Sequence, residues 1–228
     1  MNLSREPRII YEDDDIVAVY KPDGLLVHPT SYSREPTLVD WLSKKYPGMK
    51  KVGDDPRLRP GIVHRLDKET SGIMLVAKTQ NSFDYLKALF AEHTIKKTYL
   101  ALVSGRVEPS SGIIDKPLSL KSGTVKRTVH AGKMPKHART VYRVLKRFPD
   151  TTLLEVVPET GRTHQIRVHL ASIGHPVAGD KLYGGRRGSS GISRLMLHAH
   201  ALEFSTPRGT RLRLEDPPPY GFFEGSAF

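Results

Sequence analysis

Short apolar segments separated by turn residues recur along most of the chain, whereas segments with helical periodicity are few. Runs rich in Val, Ile, Leu and Tyr, bounded by Gly, Pro or Asp, are typical of strands. A parallel α/β sheet would instead require strands and helices in alternation. We therefore predict an α+β fold with a mainly antiparallel mixed sheet. The predicted strands cover residues 9–10, 16–20, 73–77, 98–103, 140–145, 153–157, 195–204 and 211–214.

Three segments are predicted to be helices. Thr37 is placed to cap the first, with Asp40 at its third position, and either Asn81 or Ser82 is placed to cap the second. The third is predicted over residues 163–173, because a glycine follows it directly and favours a helix end.

The composition points to an anionic partner. The chain has 228 residues, with 36 Lys and Arg against 24 Asp and Glu, which gives a formal charge of +12. This balance favours nucleic acid as the partner, although a generally basic protein without that function remains an alternative. Because the chain has no cysteine, disulfides, thiolate metal sites and cysteine nucleophiles are excluded.

No targeting or membrane segment is recognisable in the sequence. Residues 1–8 contain no apolar core of the kind a secretory signal needs. No apolar run approaches the roughly 20 residues that span a bilayer. We therefore predict a cytoplasmic protein.

The most informative local pattern lies in residues 59–72, where an acid is surrounded by bases. His64, Arg65 and Lys68 all lie within three positions of Asp67, and a Thr-Ser-Gly turn and an apolar strand follow. A carboxylate held by a turn among cations suits a nucleophile or an electrostatic stabiliser. A surface cluster of structural ion pairs is the alternative interpretation.

Other site chemistries lack their sequence patterns. His164 and His169 are five residues apart, and His198 and His200 are two apart, so neither pair forms a His-Glu-x-x-His zinc motif. We predict no metal site. The sequence also lacks the Gly-x-Ser-x-Gly elbow of serine hydrolases, the Gly-Lys-Ser/Thr ending of a P-loop, and a dinucleotide-binding Gly-x-Gly-x-x-Gly after a strand.

Three segments, taken in order, resemble one family. Residues 64–72 (His-Arg-Leu-Asp-Lys-Glu-Thr-Ser-Gly) resemble the catalytic motif of the RluA/RluD-type RNA pseudouridine synthases. Residues 97–100 (Lys-Thr-Tyr-Leu) resemble its basic-x-Tyr motif. Residues 161–170 (Gly-Arg-Thr-His-Gln-Ile-Arg-Val-His-Leu) resemble its third motif, and Gly179-Asp180 follows as in the family. The resemblance extends from about residue 9 to about residue 214.

The resemblance implies the architecture. It implies a single pseudouridine synthase catalytic domain over residues 1–228, with a central sheet in two halves, flanking helices and a catalytic cleft across the sheet. The N-terminal RNA-binding module common in the family has no room in this chain. One departure concerns the first motif, which reads Tyr20-Lys21-Pro22 where the family usually has Asn-Lys-Pro. This change affects a local hydrogen bond rather than the chemistry.

The resemblance also implies the catalytic residues. Asp67 is expected to be the catalytic carboxylate, Tyr99 to pack on the target uracil, and Arg167 to form a salt bridge with Asp67. Arg65 is expected to fill the space left by a flipped base, and His64 is a further substrate-binding candidate that would buttress the loop. The residues expected to support the site are Lys21, Pro22, Thr70, Ser71 and Gly72.

A basic loop or hairpin is predicted as an insertion at about residues 116–147, which contain ten Lys or Arg and no Asp or Glu. Uniform positive charge over this length suits phosphate contacts, although a solvated basic loop is the alternative. The candidate RNA contacts are Lys126, Arg127, Lys133 and Lys136. A second basic, Gly-rich loop covers residues 181–194.

These observations lead to a functional hypothesis. The chain is predicted to isomerise specific uridines in RNA to pseudouridine. The favoured substrate is 23S ribosomal RNA, and tRNA is the alternative. No cofactor is expected, because the isomerisation involves no redox change, and we predict a monomer. A non-catalytic RNA-binding protein of the same fold and a nucleoside or glycoside hydrolase are the other hypotheses. The hydrolase would need a second catalytic carboxylate, for which only Glu155 and Glu159 are available as weak candidates.

Overall fold

Strands β2 (Ile16–Lys21) and β3 (Ser71–Ala77) are buried at every position. Both are nearly continuous apolar runs, which is the pattern expected of a strand covered on its two faces. They pair in antiparallel register, with Lys21 opposite Gly72. Because β3 begins at Ser71, two residues earlier than predicted, the predicted Thr-Ser-Gly turn is in part the start of this strand.

The structure is a computed structural model, in which the chain divides into two units. The first comprises residues 1–96 and 199–217, and the second comprises residues 97–198 and 218–228. The grouping of both units into one catalytic domain stays a prediction. The residues that the structure describes are 6–30, 33, 35–121, 124, 126–130, 132–184, 192–219 and 222.

The first unit contains an antiparallel sheet built around β2 and β3. Its other strands are β1 (Arg8–Glu12), most of β11 (Leu197–Ser205) and β12 (Arg211–Glu215). The order is β1-β2-β3-β11, and β12 pairs with β11. β1 pairs antiparallel with β2, and β12 pairs antiparallel with β11.

Helix α1 (Leu38–Lys45) begins as predicted. The Thr37 side chain accepts a hydrogen bond from the Asp40 amide, and the Asp40 side chain accepts one from the Thr37 amide. This reciprocal capping box satisfies two amides that a helix start leaves unpaired. A short 3-10 helix (Pro47–Lys51) follows.

Helix α2 (Gln80–Ala91) begins earlier than predicted. Its cap is Thr79, whose side chain accepts from the Ser82 amide at 3.2 Å, so the prediction of Asn81 or Ser82 as cap was wrong. Ser82 instead occupies the third helical position and completes the capping box.

The second unit contains four strands of the sheet that pair antiparallel with one another. These are β4 (Lys96–Ser104), β5 (Ser111–Asp115), β9 (Arg139–Arg147) and β10 (Thr151–Pro158). Their order is β4-β10-β9-β5, and every pairing is antiparallel. The main core of this unit lies against this sheet. The predicted α+β class with mainly antiparallel sheets is confirmed.

A separate three-stranded sheet carries much of the basic segment. Its strands are β6 (Leu118–Leu120), β7 (Arg127–Thr128) and β8 (Lys133–Lys136), in the order β7-β6-β8. We call residues 118–136 the basic hairpin. The predicted insertion extended to residue 147, but the residues from Arg139 onward form β9 of the main sheet.

Helix α3 (Gln165–Ser172) is shorter than predicted. His164 has a left-handed backbone, with φ of 56°, so helical geometry starts at Gln165 rather than at Thr163. The predicted stop is confirmed, because Gly174 adopts φ of 86°, which is the conformation that favours glycine after a helix.

Candidate active site

A buried lysine holds the backbone beside Asp67 in the first unit. Lys21 is fully buried, and its ammonium donates to the carbonyl oxygens of Pro22 at 2.7 Å, Leu25 at 2.8 Å and Lys68 at 3.1 Å. The Lys68 carbonyl also accepts from the Gly24 amide at 2.8 Å. A buried charge is tolerated when it is hydrogen-bonded in this way. The carbonyl of Lys68, the residue that follows Asp67, is therefore held by two donors.

The chain turns sharply at Asp67 and then enters β3. The Thr70 amide donates to the Asp67 carbonyl at 3.1 Å, which closes a four-residue turn. Gly72 has φ of 125°, and a Cβ added there would collide with the backbone of Ala199. Glycine is therefore required where β3 passes close to β11. Together, the turn and the start of β3 determine how the backbone at Asp67 is oriented.

His64 is braced between two elements. Its Nε2 accepts the amide of Leu75 in β3 at 2.9 Å, and its ring stacks on Phe90 of α2 with centroids 4.3 Å apart. Accepting an amide requires an unprotonated Nε2, so the proton of a neutral ring lies on Nδ1. Both contacts fit the predicted buttressing of the loop, and a direct contact of His64 with substrate stays a prediction.

The residues around Asp67 alternate in exposure. Leu66 is buried, Arg65 is exposed and Asp67 is half-buried. Lys68 forms a surface ion pair with Glu35 at 2.6 Å. The buried leucine anchors the segment, and the charged side chains on either side of it reach the surface.

In the second unit, Tyr99 lies on β4 opposite Val156 of β10. Its side chain is half-buried and packs against the main core of that unit. A rigid strand is a suitable support for an aromatic ring that stacks on a base. The strand placement predicted for Tyr99 is confirmed.

Arg167 lies on α3, is almost completely buried, and is held by Asp180. Its Nε donates to Oδ2 of Asp180 at 2.7 Å and its Nη2 donates to Oδ1 at 2.9 Å. Such a fork-shaped pair has one preferred geometry, and breaking a buried pair costs about 3–5 kcal/mol. The predicted salt bridge of Arg167 with Asp67 stays a prediction, since the two residues belong to different units.

Asp180 is itself held in place by the backbone. Its Oδ1 accepts the amides of Leu182 at 2.8 Å and Tyr183 at 3.0 Å. Burial alone would raise the pKa of this carboxyl, but the hydrogen bonds and charge of Arg167, together with the two amides, keep the pKa below its usual value. The ionised form is favoured. Asp180 was not predicted to have a role, although the Gly179-Asp180 pair after the third motif was a usable signal.

The basic hairpin presents its cations in two ways. Lys133 and Lys136 are exposed on β8. Lys126 and Arg127 are half-buried: the Lys126 ammonium donates to the Leu182 carbonyl at 3.3 Å, and the Arg127 amide donates to the Tyr183 hydroxyl at 2.9 Å. The first pair is available to phosphates, whereas the second pair connects the hairpin to the segment after Asp180. In the second basic loop, residues 185–191 lie outside the described residues.

Neither a metal-binding cluster nor a membrane-spanning helix is found among the described residues. No group of three or more His, Asp or Glu side chains is placed to hold a metal ion within the described ranges. No helix among these residues is both long and apolar enough to cross a membrane.

Comparison with known proteins finds one family. A family model described as RNA pseudouridylate synthase matches residues 15–172. A protein of Nitrosomonas europaea named ribosomal large subunit pseudouridine synthase D is 41% identical over 224 residues, covering 92% of this chain and 61% of that protein. An Aquifex aeolicus protein named uncharacterized RNA pseudouridine synthase is 47% identical over 183 residues, covering 79% of this chain and 57% of that protein. The chain thus spans about three fifths of the length of these curated relatives.

Solved structures have the same fold. Human RNA pseudouridylate synthase domain containing 1 superposes with a TM-score of 0.80 and 27% identity, covering 95% of this chain and 85% of that one. Human RNA pseudouridylate synthase domain containing 4 gives a TM-score of 0.74 at 27% identity, covering 94% and 89% of the two chains.

Proposed function

Because the chain belongs to the RNA pseudouridylate synthase family, we propose that it isomerises specific uridines in RNA to pseudouridine. The observation that carries this proposal is the position of Asp67 within the matched region, on a turn whose backbone is fixed by Lys21. Tyr99 and Arg167 lie in the same matched region.

The proposed reaction rearranges bonds within one nucleotide. The bond between C1′ of the ribose and N1 of uracil breaks, the detached base turns, and a bond forms between C1′ and C5. The proton on C5 is lost and one is gained at N1, so nothing is oxidised or reduced. The residues must therefore stabilise charge, move a proton and retain the free base.

Asp67 is proposed as the carboxylate that acts on the target nucleotide. A fixed turn suits this role, because a catalytic group must be held close to its productive geometry before substrate binds. Arg167 is proposed to pair with Asp67, while its bidentate bond to Asp180 holds the guanidinium in place.

Arg65 and Tyr99 are proposed to handle the base. A stacked uridine is inaccessible, so it must be flipped out at a cost of a few kcal/mol. Arg65 is exposed two residues before Asp67 and is suited to filling the vacated space. Stacking of the flipped uracil on Tyr99 would contribute about 1–3 kcal/mol.

The proposed substrate is large-subunit ribosomal RNA. The printed names of several relatives support this choice, since they are called ribosomal large subunit pseudouridine synthase D. Action on ribosomal RNA would place the protein in the cytoplasm, as predicted from the sequence. Action as a monomer without a cofactor is part of the same proposal.

The proposal is tested by mapping pseudouridine in 23S ribosomal RNA and total tRNA from cells with and without the gene. We expect one or more sites in the 23S RNA to be lost, and to return with the wild-type gene. Asp67→Asn should not restore them, although the purified variant should bind an unmodified 23S transcript with affinity close to wild type. Glu69→Gln, a change of a neighbouring exposed carboxylate, should restore them fully.

Three outcomes would contradict parts of this proposal. Pseudouridine formation by pure Asp67→Asn protein would remove Asp67 from its catalytic role. Sites lost only from tRNA would correct the substrate. Release of free uracil by the wild-type protein, without pseudouridine, would indicate a hydrolase.

A further inference from the structure

The hydroxyl of Tyr183 joins two parts of the second unit. It accepts the backbone amide of Arg127, in strand β7 of the basic hairpin, at 2.9 Å. It also lies 2.8 Å from Nδ1 of His164, the residue that precedes α3. A phenol can accept one hydrogen bond and donate another, so both contacts are satisfied at once when His164 Nδ1 is unprotonated.

The ring and backbone of Tyr183 contact the ion pair of Arg167. The Arg167 guanidinium carbon lies 5.4 Å from the centroid of the Tyr183 ring, within the range of a cation–π interaction. The Tyr183 amide donates to the Asp180 oxygen that also receives Nη2 of Arg167. Tyr183 therefore contacts both members of the pair.

His164 adds a third connection through the backbone. It holds a left-handed φ of 56°, a conformation that is unfavourable for a residue with a side chain and needs support from its surroundings. Its carbonyl accepts the amide of Val168, the neighbour of Arg167 in α3, at 3.0 Å. The Tyr183 ring packs edge-on against the His164 ring, with centroids 5.6 Å apart.

Apolar contacts also join the basic hairpin to α3 and Tyr183. Leu118 of β6, Ala138 and Val168 of α3 form a small buried cluster, and Val129 and Tyr183 pack against it. Tyr183 is thus a common neighbour of the basic hairpin, the start of α3 and Arg167.

We propose that Tyr183 is a positioning residue that couples the basic hairpin to Arg167, so that binding of RNA phosphates at the hairpin and placement of the arginine depend on each other. This inference rests on the proposed function, in which the hairpin binds RNA and Arg167 serves catalysis. The hydroxyl holds the hairpin and His164, whereas the ring and amide hold Arg167 and Asp180.

Two substitutions separate these contributions. Tyr183→Phe removes the hydroxyl and keeps the ring, so it should raise the Kd for an unmodified 23S transcript roughly tenfold, with a single-turnover rate constant at saturation close to wild type. Tyr183→Leu also removes the aromatic ring that contacts Arg167. It should weaken binding to a similar extent and, in addition, lower the single-turnover rate constant at saturation about tenfold. Rescue of the rate by Phe but not by Leu distinguishes positioning from general destabilisation.

Amide hydrogen exchange provides a readout that does not need catalysis. Exchange of the Arg127 amide should be faster in Tyr183→Phe, because this amide loses its acceptor. The control is Tyr46→Phe, which removes a hydroxyl that contacts Glu12 at 2.7 Å in the first unit. It should change neither the Kd nor the exchange at Arg127.

The coupling is overturned if Tyr183→Phe speeds exchange at Arg127 while leaving the Kd for RNA at the wild-type value. It is equally overturned if Tyr183→Leu retains the wild-type saturated rate. A wild-type protein that binds the transcript but forms no pseudouridine would refute the proposed function instead. In that case the Kd of Tyr183→Phe, compared with that of Tyr46→Phe, still decides whether Tyr183 supports the hairpin.

Discussion

Lys21 and Lys97 are both buried, but their ammonium groups have different surroundings. Lys21 is 0% exposed and donates to three carbonyl oxygens. Lys97 is 8% exposed, and within the described ranges its ammonium has neither a hydrogen bond nor an ion pair. Burial lowers the pKa of the Lys97 ammonium from its usual 10.5, because the charged form loses hydration. Of these two lysines, Lys21 is the one that has, among the described residues, the partners that a buried cation needs.

Replacing Lys97 should therefore stabilise the protein. The unfolded chain binds the Lys97 proton more tightly than the folded chain does, so the free energy of unfolding should rise with pH up to the unfolded pKa of 10.5. Lys97→Met should raise the free energy of unfolding at neutral pH by about 1 kcal/mol or more. In this variant the free energy of unfolding should also lose the increase with pH that Lys97 causes. Urea unfolding at about pH 7 and about pH 10 measures both effects.

The neighbouring lysine is a matched control. Lys96 is exposed and forms a surface ion pair with Glu203 at 3.2 Å. Lys96→Met should change the free energy of unfolding by less than about 1 kcal/mol, as is usual for exposed pairs. A Lys97→Met protein that is less stable than wild type at neutral pH would show that the ammonium has a stabilising partner.

At the scale of elements, the helix starts show how far local sequence determines structure. Thr37 was identified as a cap because Asp40 stands at the position that completes the capping box. Before α2, Thr79, Asn81 and Ser82 are all capping residues within four positions, and local preference does not choose between them. The choice follows from packing: the Ser82 hydroxyl also donates to the Asp15 carbonyl at 2.7 Å, which fixes Ser82 inside the helix.

The start of β3 allows a prediction about the Asp67 turn. Gly72→Ala should lower the free energy of unfolding by about 2 kcal/mol or more, because the added methyl meets backbone and φ of 125° is unfavourable for alanine. The displaced strand should also misdirect Asp67, so pseudouridine formation should fall more than the folded fraction does. Thermal unfolding combined with single-turnover assays below the transition measures the two effects.

Gly48 is the matched control within the same unit. Nothing lies within 4 Å of a Cβ added there, and its backbone is not left-handed. Gly48→Ala should leave the free energy of unfolding within about 1 kcal/mol of wild type. Equal stability of the Gly72→Ala and Gly48→Ala proteins would mean that β3 and β11 can separate at no cost.

At the scale of the whole molecule, the charge of +12 is unevenly distributed along the chain. The basic hairpin contains no acidic residue. Elsewhere, many cations are paired, as in the contacts of Glu203 with Lys96, Arg211 and Arg213. Cations without nearby acids are the ones that attract phosphates most strongly.

The salt dependence of RNA binding should reveal which cations contact phosphate. Lys133→Gln combined with Lys136→Gln should weaken binding and lower the slope of log Kd against log salt by about 1.5, as expected for two lost phosphate contacts. Lys126 is half-buried and its ammonium donates to the Leu182 carbonyl, so neutralising it should weaken binding mainly by loosening the hairpin. Arg127 contacts Tyr183 through its backbone amide, so neutralising the Arg127 side chain leaves that contact in place. Filter binding across a salt series measures the slopes.

An equal change of charge elsewhere serves as control. Lys44 and Lys45 are exposed in the last turn of α1. Changing both to Gln removes the same net charge and should leave the slope close to wild type. If both double variants flatten the slope equally, binding depends on net charge and not on the hairpin.

The sequence by itself determined the class of fold, most strand positions, the first helix cap, the family, and Asp67 as the leading candidate for the catalytic carboxylate. These features depend on short contiguous patterns: apolar periodicity, turn residues and motifs in which the informative positions are neighbours. Such patterns act through local backbone preferences, so they can be read without knowledge of distant contacts.

Only the tertiary structure decided which distant groups support the candidate site. It joined Lys21 to the carbonyl of Lys68, paired Arg167 with Asp180, and brought Tyr183 to the basic hairpin. It also showed that Gly72 is required by the approach of another strand and that α3 starts only after His164, whose backbone is left-handed. The physical reason is that each of these contacts joins residues far apart in the chain or depends on packing around them, and local preferences carry no information about such partners.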